Sequence, residues 1–223
     1  MRLFLFNWML PRVCEGCGRK LARGERSVCA VCLGELSQGY ADSDALRDRL
    51  PRRLPVDRCL SWTAYRRGSL AARLIKRGKY GGRPDIIEEL AGIYGRRLAA
   101  SGALAGVDVL QAVPMHWWKR LRRGYNQADL IARQLSRATG IPTVSALKAV
   151  RGHGSQTRRT AAGRALNVGG MFEAGRRDAV AGMHVALVDD VITTGATLSE
   201  AACAVARAGA ARISTITLAA AVL

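Results

Sequence analysis

Apolar and polar positions alternate along the chain in blocks that predict strands and helices in turn. The stretches "VDVLQAVP" (107–114) and "MHVALVDD" (183–190) are short and almost continuously apolar, which is typical of strands covered on both faces. Between them, residues 126–140 carry apolar side chains at helical spacing, with Asn126 placed to cap the helix and Gly140 to end it. This alternation predicts an α/β fold with a mostly parallel sheet.

The rest of the chain continues this pattern around one irregular region. Residues 35–55 are polar and charged, contain Pro51 and Pro55, and predict a linker or loosely structured connection. Before the strand at 107–114, the pattern predicts a strand pair or extended segment at 56–65, a short helix within 68–82, and a helix at about 85–100 opened by Pro84. After the helix at 126–140, it predicts a hairpin-like region at about 143–174 with a long Arg- and Gly-rich loop. A helix within 197–209, capped by Gly209, and a final strand within 212–222 complete the predicted elements.

Residues 1–11, "MRLFLFNWMLP", form an apolar stretch behind a single Arg. The stretch is too short to span a bilayer, and no small-residue cleavage site precedes "RVCEGC", so the pattern disfavours an export signal. A segment that packs on the body of the protein is the favoured interpretation, with a membrane-surface anchor as the alternative. We therefore expect a cytoplasmic protein without a transmembrane segment.

The chain is strongly basic. Its 35 Lys and Arg residues, 30 of them Arg, outnumber 17 Asp and Glu residues and give a formal net charge of +18. An Arg- and Ala-rich composition can simply reflect the nucleotide composition of a genome. Arg side chains nevertheless bind phosphate oxygens in pairs, and such an excess favours polyanionic partners such as nucleic acid or phosphorylated ligands.

Four cysteines form two CxxC turns. "CEGC" supplies Cys14 and Cys17, and "CAVC" supplies Cys29 and Cys32 after eleven intervening residues. Two such turns bring four thiolates onto one ion, so the spacing predicts a structural Zn²⁺ site without an open coordination position. A disulfide pair and redox-active CxxC motifs are the alternatives, of which the first needs an oxidising compartment and the second leaves two neighbouring copies unexplained.

The apolar run 185–188 ends in two adjacent carboxylates, Asp189 and Asp190, at the sheet edge where ligands bind in open α/β folds. Residues 193–197 then form a turn of threonine, glycine and alanine that leads into a helix. Its backbone N–H groups, hydroxyls and helix dipole suit a phosphate dianion. Carboxylates repel phosphate but accept hydrogen bonds from a vicinal diol, so the pattern predicts a sugar-phosphate site, with a metal site on the two carboxylates as the alternative.

Nucleoside triphosphatase and dinucleotide-binding functions lose their main support in this sequence. Neither a G-x-x-x-x-G-K-[ST] loop nor a G-x-G-x-x-G motif occurs anywhere in the chain. The sugar-phosphate prediction therefore depends on residues 185–198.

Three segments together resemble a known family. "VALVDDVITTGATL" (185–198) is similar to the 5-phosphoribosyl-1-pyrophosphate (PRPP) motif of type I phosphoribosyltransferases. "VPMHWWKRLRRGYNQA" (113–128) and "RGHGSQTRRTAAGRALNVGGMF" (151–172) resemble signature segments of the ComF family, the competence and DNA-uptake relatives of these enzymes. With the double-CxxC module, the resemblance covers nearly the whole chain in matching order. One departure is Arg159, which stands where the family usually has an apolar residue.

The resemblance implies a type I phosphoribosyltransferase fold with a zinc-ribbon module at 1–36, a linker at 37–55 and a phosphoribosyltransferase-like domain at 56–223. It implies that Asp189 and Asp190 are the catalytic residues, that Mg²⁺ binds together with PRPP, and that a mobile lid closes over the site. The residues that it assigns to PRPP are Asp189, Asp190, Val191, Thr193, Thr194, Gly195, Ala196 and Thr197, and those that it assigns to pyrophosphate or the lid are Pro114, Met115, Lys119, Arg123, Asn126, Gln127, Arg151, Gln156 and Arg164.

Three functions stay open at the level of sequence. The first is a PRPP-binding protein that acts in DNA uptake by binding single-stranded DNA, with competence-machinery proteins as further partners; Trp117, Trp118 and Tyr125 lie among basic residues and offer stacking surfaces. The second is a conventional enzyme that displaces pyrophosphate from PRPP with a base or amine, although no clear base-recognition element is present. The third is a regulatory sensor whose zinc module docks on another protein.

Overall fold

A computed structural model describes residues 11–37, 43–52, 54–150 and 170–222. The strands, in chain order, are β1 (Val56–Tyr65), β2 (Val109–Ala112), β3 (Thr143–Val144), β4 (Leu147–Ala149), β5 (Phe172–Ala174), β6 (His184–Ile192) and β7 (Arg212–Ala221). Five of them form one parallel sheet in the order β1-β7-β6-β2-β3, as the alternating pattern predicted. The remaining two, β4 and β5, pair in antiparallel fashion and account for the predicted hairpin-like region.

Helices connect these strands. They are α1 (Ala30–Ser37), α2 (Ser43–Arg47), α3 (Leu70–Tyr80), α4 (Pro84–Ser101), α5 (Trp117–Arg123), α6 (Gln127–Thr139) and α7 (Ala196–Arg207), with a short 3₁₀ turn at Arg177–Ala179. Within the described ranges, none of them combines the length and apolar character that crossing a bilayer demands.

Several predicted helix boundaries are confirmed by their capping contacts. The Asn126 side chain accepts a hydrogen bond from the Ala128 N–H at the start of α6, and Gly140 ends that helix with a left-handed φ of 77°. Helix α7 ends at Arg207, one residue before the end that a cap at Gly209 predicts, and Gly209 itself has a φ of 98°. A positive φ at these two glycines turns the chain back towards the next strand.

The sheet is covered on both faces. Alternate residues of β6 point to opposite sides, with Ala186 and Val188 in one apolar cluster and Val185 and Leu187 in the other. The first cluster contains α3, α4, α6 and the cysteine-containing residues 11–36, which we call the cysteine module. The second cluster contains α7, the hairpin β4–β5 and residues from α2. This two-sided burial explains why the central strand reads as a continuous apolar run.

His184 begins β6 and is buried beside polar partners. Its Nδ1 lies 2.9 Å from the Gly106 carbonyl oxygen, and its Nε2 lies 2.9 Å from Ser214 Oγ. Burial, together with the charge of Arg212, lowers the pKa of His184. These contacts give His184 a structural role at the start of β6.

Residues 43–52 and Leu54, within the region predicted to be a linker, pack on the sheet. Leu46, Leu50 and Leu54 are buried in the second cluster. The Arg49 guanidinium donates to the Thr193 carbonyl oxygen at 2.8 Å and to the Ala221 carbonyl oxygen at 2.7 Å. The segment therefore braces the ends of β6 and β7 instead of connecting two units loosely.

The segment after β2 is helical. Residues 117–123, to which the sequence pattern assigns no element, form the short helix α5, which Gly124 ends with a φ of 84°. Residues 1–10, predicted to pack on the body, and 151–169, which contain the expected lid, lie outside the described residues.

Candidate ligand-binding site

A pocket of about 310 Å³ lies at the carboxyl edge of the parallel sheet. Strands β2 and β6 run in the same direction and are hydrogen-bonded neighbours, so their ends meet at one edge. The carboxylates Asp189 and Asp190 form one side of the pocket, and the segment after β2 forms the other. Tyr65, at the end of β1, also lines it, as do Ala149 and Met171 beside the hairpin.

The two carboxylates have different surroundings. Asp190 is buried, and its Oδ1 lies 2.9 Å from Lys79 Nζ. Asp189 Oδ1 accepts a hydrogen bond from the Asp190 backbone N–H at 2.8 Å. Burial and the neighbouring Asp190 charge raise the pKa of Asp189 to about 7, against the smaller opposing effects of that N–H and of Lys79. One carboxylate is thus charge-paired, whereas the other ionises near neutrality.

Lys79 is a charged site residue that the sequence did not reveal. It lies in the last turn of α3 and lines the pocket with Asp190. Burial works to lower the pKa of Lys79, but the charge and hydrogen bond of Asp190 outweigh it and raise that pKa. No motif or spacing marks this lysine, because a cation in a last helical turn ordinarily serves the helix dipole.

The turn after β6 leads directly into the N-terminus of α7. Gly195 is the N-cap with a φ of 79°, and a Cβ at this position would lie 2.7 Å from the Arg49 carbonyl oxygen. No side chain caps the helix, although Thr194 Oγ1 accepts from the Ala196 N–H at 3.4 Å. A cavity of about 30 Å³ adjoins the main pocket here; residues 191–198 and Asp189 line it. The first-turn N–H groups are therefore available to an anion.

The opposite wall is cationic. Lys119 and Arg123 reach the pocket from α5, and Pro114 and Met115 reach it from the segment after β2. Burial, together with the charge of Arg123, lowers the pKa of Lys119. Among the described residues, neither cation forms an ion pair with a carboxylate. These charges are thus left for a ligand.

Asn126 and Gln127 lie between this wall and α6. Besides capping α6, Asn126 Nδ2 donates to the Val113 carbonyl oxygen at 3.1 Å. Gln127 Oε1 accepts from Arg123 Nη1 at 2.6 Å, which leaves its buried Nε2 without a hydrogen-bond partner in the described part of the chain. Gln127 lines the pocket, so an unpaired donor lies at the pocket wall.

The structure therefore brings most of the sequence-predicted residues to one place. Eleven of them line the main pocket, and the turn residues Thr194, Gly195 and Ala196 line the adjoining cavity. Arg151, Gln156 and Arg164 lie outside the described residues. The eleven are Pro114, Met115, Lys119, Arg123, Asn126, Gln127, Asp189, Asp190, Val191, Thr193 and Thr197.

The four cysteines of the module also converge. Their sulfur atoms all lie within 4.8 Å of one another, with Cys14 and Cys32 Sγ 3.8 Å apart and Cys17 and Cys29 Sγ 3.7 Å apart. Tetrahedral zinc with Zn–S bonds of about 2.3 Å places its sulfur atoms about 3.8 Å apart. The geometry fits a four-thiolate metal site.

Thiol ionisation within the module favours the same interpretation. Burial opposes the charge on Cys14, but backbone N–H groups, that of Cys29 first, lower its pKa to about 6. Burial and the neighbouring sulfur atoms instead raise the pKa of Cys32. Four thiolates so close together repel one another, and a divalent cation among them removes that conflict.

Comparison with known proteins agrees with this architecture. Residues 121–221 match the phosphoribosyl transferase domain family. Competence protein F of Haemophilus influenzae is 41% identical over 95 residues, which are 42% of this chain and 42% of that protein. DNA utilization protein YhgH of Salmonella typhimurium is 29% identical over 92% of this chain and 95% of its own length. Competence protein ComFC of Bacillus subtilis is 27% identical over 93% and 83%, respectively.

The fold, the clustered cysteines and these relatives point in one direction. A parallel sheet carries the matched domain, and the cysteine module precedes it in the same chain. The relatives that align along most of their length include both a competence protein and a DNA utilization protein. The chain is therefore similar to ComF-type proteins along most of its length, and its residues 121–221 match the phosphoribosyl transferase domain family.

Proposed function

We propose that the pocket binds PRPP. The observation that carries the proposal is the arrangement of three unlike groups around one cavity: the carboxylates of β6, the uncapped N-terminus of α7, and the cations of α5. Carboxylates accept hydrogen bonds from ribose hydroxyls, whereas helix N–H groups and cations bind phosphate. A sugar that carries a phosphate at one end and a pyrophosphate at the other uses all three groups.

Each part of the ligand has its own wall in this proposal. The ribose diol lies against Asp189 and Asp190, and the 5-phosphate lies in the turn at 193–197. The pyrophosphate faces Lys119 and Arg123, whose charges have no carboxylate partner in the described residues. Lys79 forms an ion pair with Asp190, and its ammonium group compensates for the cost of burying that carboxylate.

Mg²⁺ fits the same site because carboxylate and phosphate oxygens are its preferred ligands. Asp189 and Asp190 would hold it together with the oxygens of PRPP. The ion would supply partial neutralisation of the pyrophosphate charge. Zn²⁺ belongs to the cysteine module, where four thiolates leave no position for a substrate.

Thermal stabilisation and calorimetry test the PRPP proposal. With Mg²⁺ present, PRPP should raise the melting temperature of the wild type and bind with a measurable heat, because a ligand that binds only the folded state stabilises it. The double variant Asp189→Asn with Asp190→Asn should lose both signals. Asp178→Asn is the matched control, since Asp178 is exposed and remote from the pocket. No stabilisation of the wild type by millimolar PRPP would contradict the proposal.

We further propose that the protein binds single-stranded DNA through α5. The names of the relatives, a competence protein and a DNA utilization protein, suggest DNA as a partner. No residue of α5 is buried, and Trp117, Trp118 and Leu121 expose 65%, 59% and 70% of their surface. The two indole rings lie edge to face with centroids 5.5 Å apart. Exposed aromatic rings in a basic helix match the stacking and charge that single strands require.

The third aromatic residue suggested by the sequence does not belong to this surface. Tyr125 is half-buried, and its hydroxyl donates to the Gly78 carbonyl oxygen. Tyr80 replaces it: 71% of Tyr80 is exposed, and the Arg123 guanidinium lies over its ring at 4.9 Å from the centroid. The proposed DNA surface thus extends from α5 to the end of α3.

Tryptophan fluorescence and electrophoretic mobility with an oligo-dT strand test this surface. Trp117→Ala with Trp118→Ala should weaken binding by at least tenfold, since base stacking contributes about 1–3 kcal/mol per base. Arg120→Gln with Arg122→Gln should weaken it most at low salt and flatten its salt dependence. Arg52→Gln with Arg176→Gln is the control, because these exposed arginines lie on other elements. Unchanged DNA affinity in the α5 variants, or binding to anionic vesicles but not to DNA, would contradict the proposal.

A conventional phosphoribosyltransferase is the second candidate function, favoured by the matched domain family. It predicts displacement of pyrophosphate at the anomeric carbon by a base or amine. Incubating the protein with PRPP, Mg²⁺ and a panel of nucleobases and amines, and measuring pyrophosphate, distinguishes the two functions. Release that depends on one acceptor and on Asp189 and Asp190 would establish the enzyme.

A further inference from the structure

The last turn of α3 lies where the cysteine module meets the pocket. Arg77 forms an ion pair with Glu15 of the module, and two residues later Lys79 forms an ion pair with Asp190. Successive residues of one helical turn move together because their backbone hydrogen bonds are shared. A displacement of Arg77 would therefore also displace Lys79.

Glu15 is held firmly on the module side. It lies between Cys14 and Cys17, in the first CxxC turn, and its side chain is only 14% exposed. Its carboxylate pairs with both Arg77 and Arg83, and its carbonyl oxygen accepts from Arg77 Nη1 at 3.0 Å. When the cysteines bind a metal, this turn has a fixed shape, and so does the carboxylate that it carries.

Tight packing transmits that position to α3. A Cβ on Gly16 would lie 2.7 Å from Leu70 Cδ1, at the start of α3, and 3.0 Å from Cys32 Sγ. In the last turn of the helix, a Cβ on Gly78 would lie 2.5 Å from Ile87 Cγ1 in α4. Helix α3 is therefore confined between the module and α4, with little room for a compensating shift.

The two arginines that bind Glu15 are not equivalent. Arg83 also pairs with Asp85 at 2.7 Å and keeps that partner if Glu15 is lost. Among the described residues, Arg77 has Glu15 as its one carboxylate partner. Loss of the Glu15 charge would thus release the end of α3 more than the start of α4.

We propose that Glu15 is a positioning residue for the ligand pocket. Through Arg77, it fixes the last turn of α3 and holds Lys79 against Asp190, so that the metal-loaded module determines the affinity of the pocket for PRPP. The inference rests on the proposed PRPP site. It extends that proposal by giving the cysteine module a part in ligand binding, although none of the four cysteines lines the pocket.

A double-mutant cycle tests the proposal. Glu15→Gln should weaken PRPP binding about fivefold in the wild-type background, the size of effect seen for residues that act through others. The same substitution should have no further effect in a Lys79→Met background, where the group that it positions is absent. Zinc content, measured on the purified variants, should stay at the wild-type level because all four cysteines remain.

Glu25→Gln is the matched control. Glu25 belongs to the same module, but its carboxylate accepts from the Ala22 and Ala30 N–H groups and pairs with Arg19, and it contacts neither α3 nor α4. PRPP affinity should be unchanged in this variant. An equal loss in Glu15→Gln and Glu25→Gln, or an equal loss from Glu15→Gln in both backgrounds, would overturn the proposal and indicate a general role in stability.

A second measurement needs no PRPP. Acylation of lysine amines, followed by mass spectrometry, reports how well the Lys79 ammonium is held by Asp190. Lys79 should react several-fold faster in Glu15→Gln than in the wild type or in Glu25→Gln. Unchanged reactivity would overturn the proposal. Faster Lys79 labelling in Glu15→Gln, together with a wild type that fails to bind PRPP, would reject the PRPP site and retain the coupling.

Discussion

The contact between the cysteine module and α3–α4 differs from the ligand pocket in how its charges are satisfied. At the module, carboxylates and cations meet inside the chain: Arg83 pairs with Glu15 and Asp85, and Glu89 accepts hydrogen bonds from the Ser27 and Val28 N–H groups. Each charge there has a partner that folding itself supplies.

The pocket leaves several of its polar groups unsatisfied. Lys119 and Arg123 have no carboxylate partner in the described ranges, the Gln127 amide has no acceptor there, and Asp189 ionises only near neutral pH. Such groups cost free energy in the folded protein and are kept where a ligand uses them. Removing a charge should therefore destabilise the protein at the module contact, whereas at the pocket it should leave stability unchanged or raise it.

Loss of the metal site should have the largest effect. Cys32→Ser removes one ligand from a cluster in which three of the four cysteines share an apolar core with Leu70 and Leu74. We expect the melting temperature to fall by about 10 °C or more, together with loss of bound zinc, measured by calorimetry and metal analysis. Cys203→Ser, on α7 and outside the cluster, is the control and should shift it by only a few degrees. Equal melting temperatures for Cys32→Ser and the wild type would show that the module folds without metal.

Asp189→Asn should stabilise the protein. The folded-state pKa of Asp189 is raised to about 7 from an ordinary value of 3.8, so ionisation destabilises the fold as the pH rises between these values. The advantage of the variant should therefore grow from pH 4 to pH 7 and stay level above it, reaching about 4 kcal/mol. Denaturant unfolding at a series of pH values measures it. An advantage that shrinks with rising pH would contradict the assignment.

Gly195→Ala should cost about 1–2 kcal/mol or more, because alanine is strained at a φ of 79° and its Cβ would meet the Arg49 carbonyl oxygen. Gly182→Ala separates the two causes: its φ is 72°, but nothing lies within 4 Å of the added Cβ. Denaturant unfolding of both variants should show the larger loss at Gly195. Equal losses would mean that the close approach of Arg49 is relieved at no cost.

The smallest effects should come from single cations in the two regions. Arg83→Gln removes the partly exposed ion pairs with Glu15 and Asp85 and should destabilise the protein by about 1 kcal/mol or less. Lys119→Gln breaks no ion pair among the described residues and should change stability by less than about 0.5 kcal/mol while weakening PRPP binding. Denaturant unfolding of both variants measures their stability, and calorimetry measures their PRPP binding. A clearly destabilised Lys119→Gln variant would contradict the expected contrast.

The sequence predicted those parts of the site that are contiguous in the chain. Asp189, Asp190 and the turn at 193–197 follow one strand directly, so strand, carboxylates and helix start could be located together. The segment after β2 could be placed opposite them because parallel strands end at one edge. Lys79 and Arg49 could not be found in this way, since their contacts depend on how distant segments cross the sheet.

Helix α5 shows a different limit of sequence reasoning. Its seven residues contain neither an acidic first turn nor a buried face, so no periodic pattern marks them as helical. His116 Nδ1, which accepts from the Trp118 N–H at 3.4 Å, and Gly124 supply the local signals that start and end it. The basic and aromatic composition was visible beforehand, but its presentation on one exposed helix was not.

The contacts of Arg49 bear on how the protein should be divided for recombinant work. A fragment that begins at Val56 would keep every strand of the sheet but lose the guanidinium that joins the Thr193 and Ala221 carbonyl oxygens. It would also expose the apolar surface that Leu46 and Leu50 cover. A truncation that is meant to retain ligand binding should therefore start before Ser43, and a cut at the apparent domain boundary is the one to avoid.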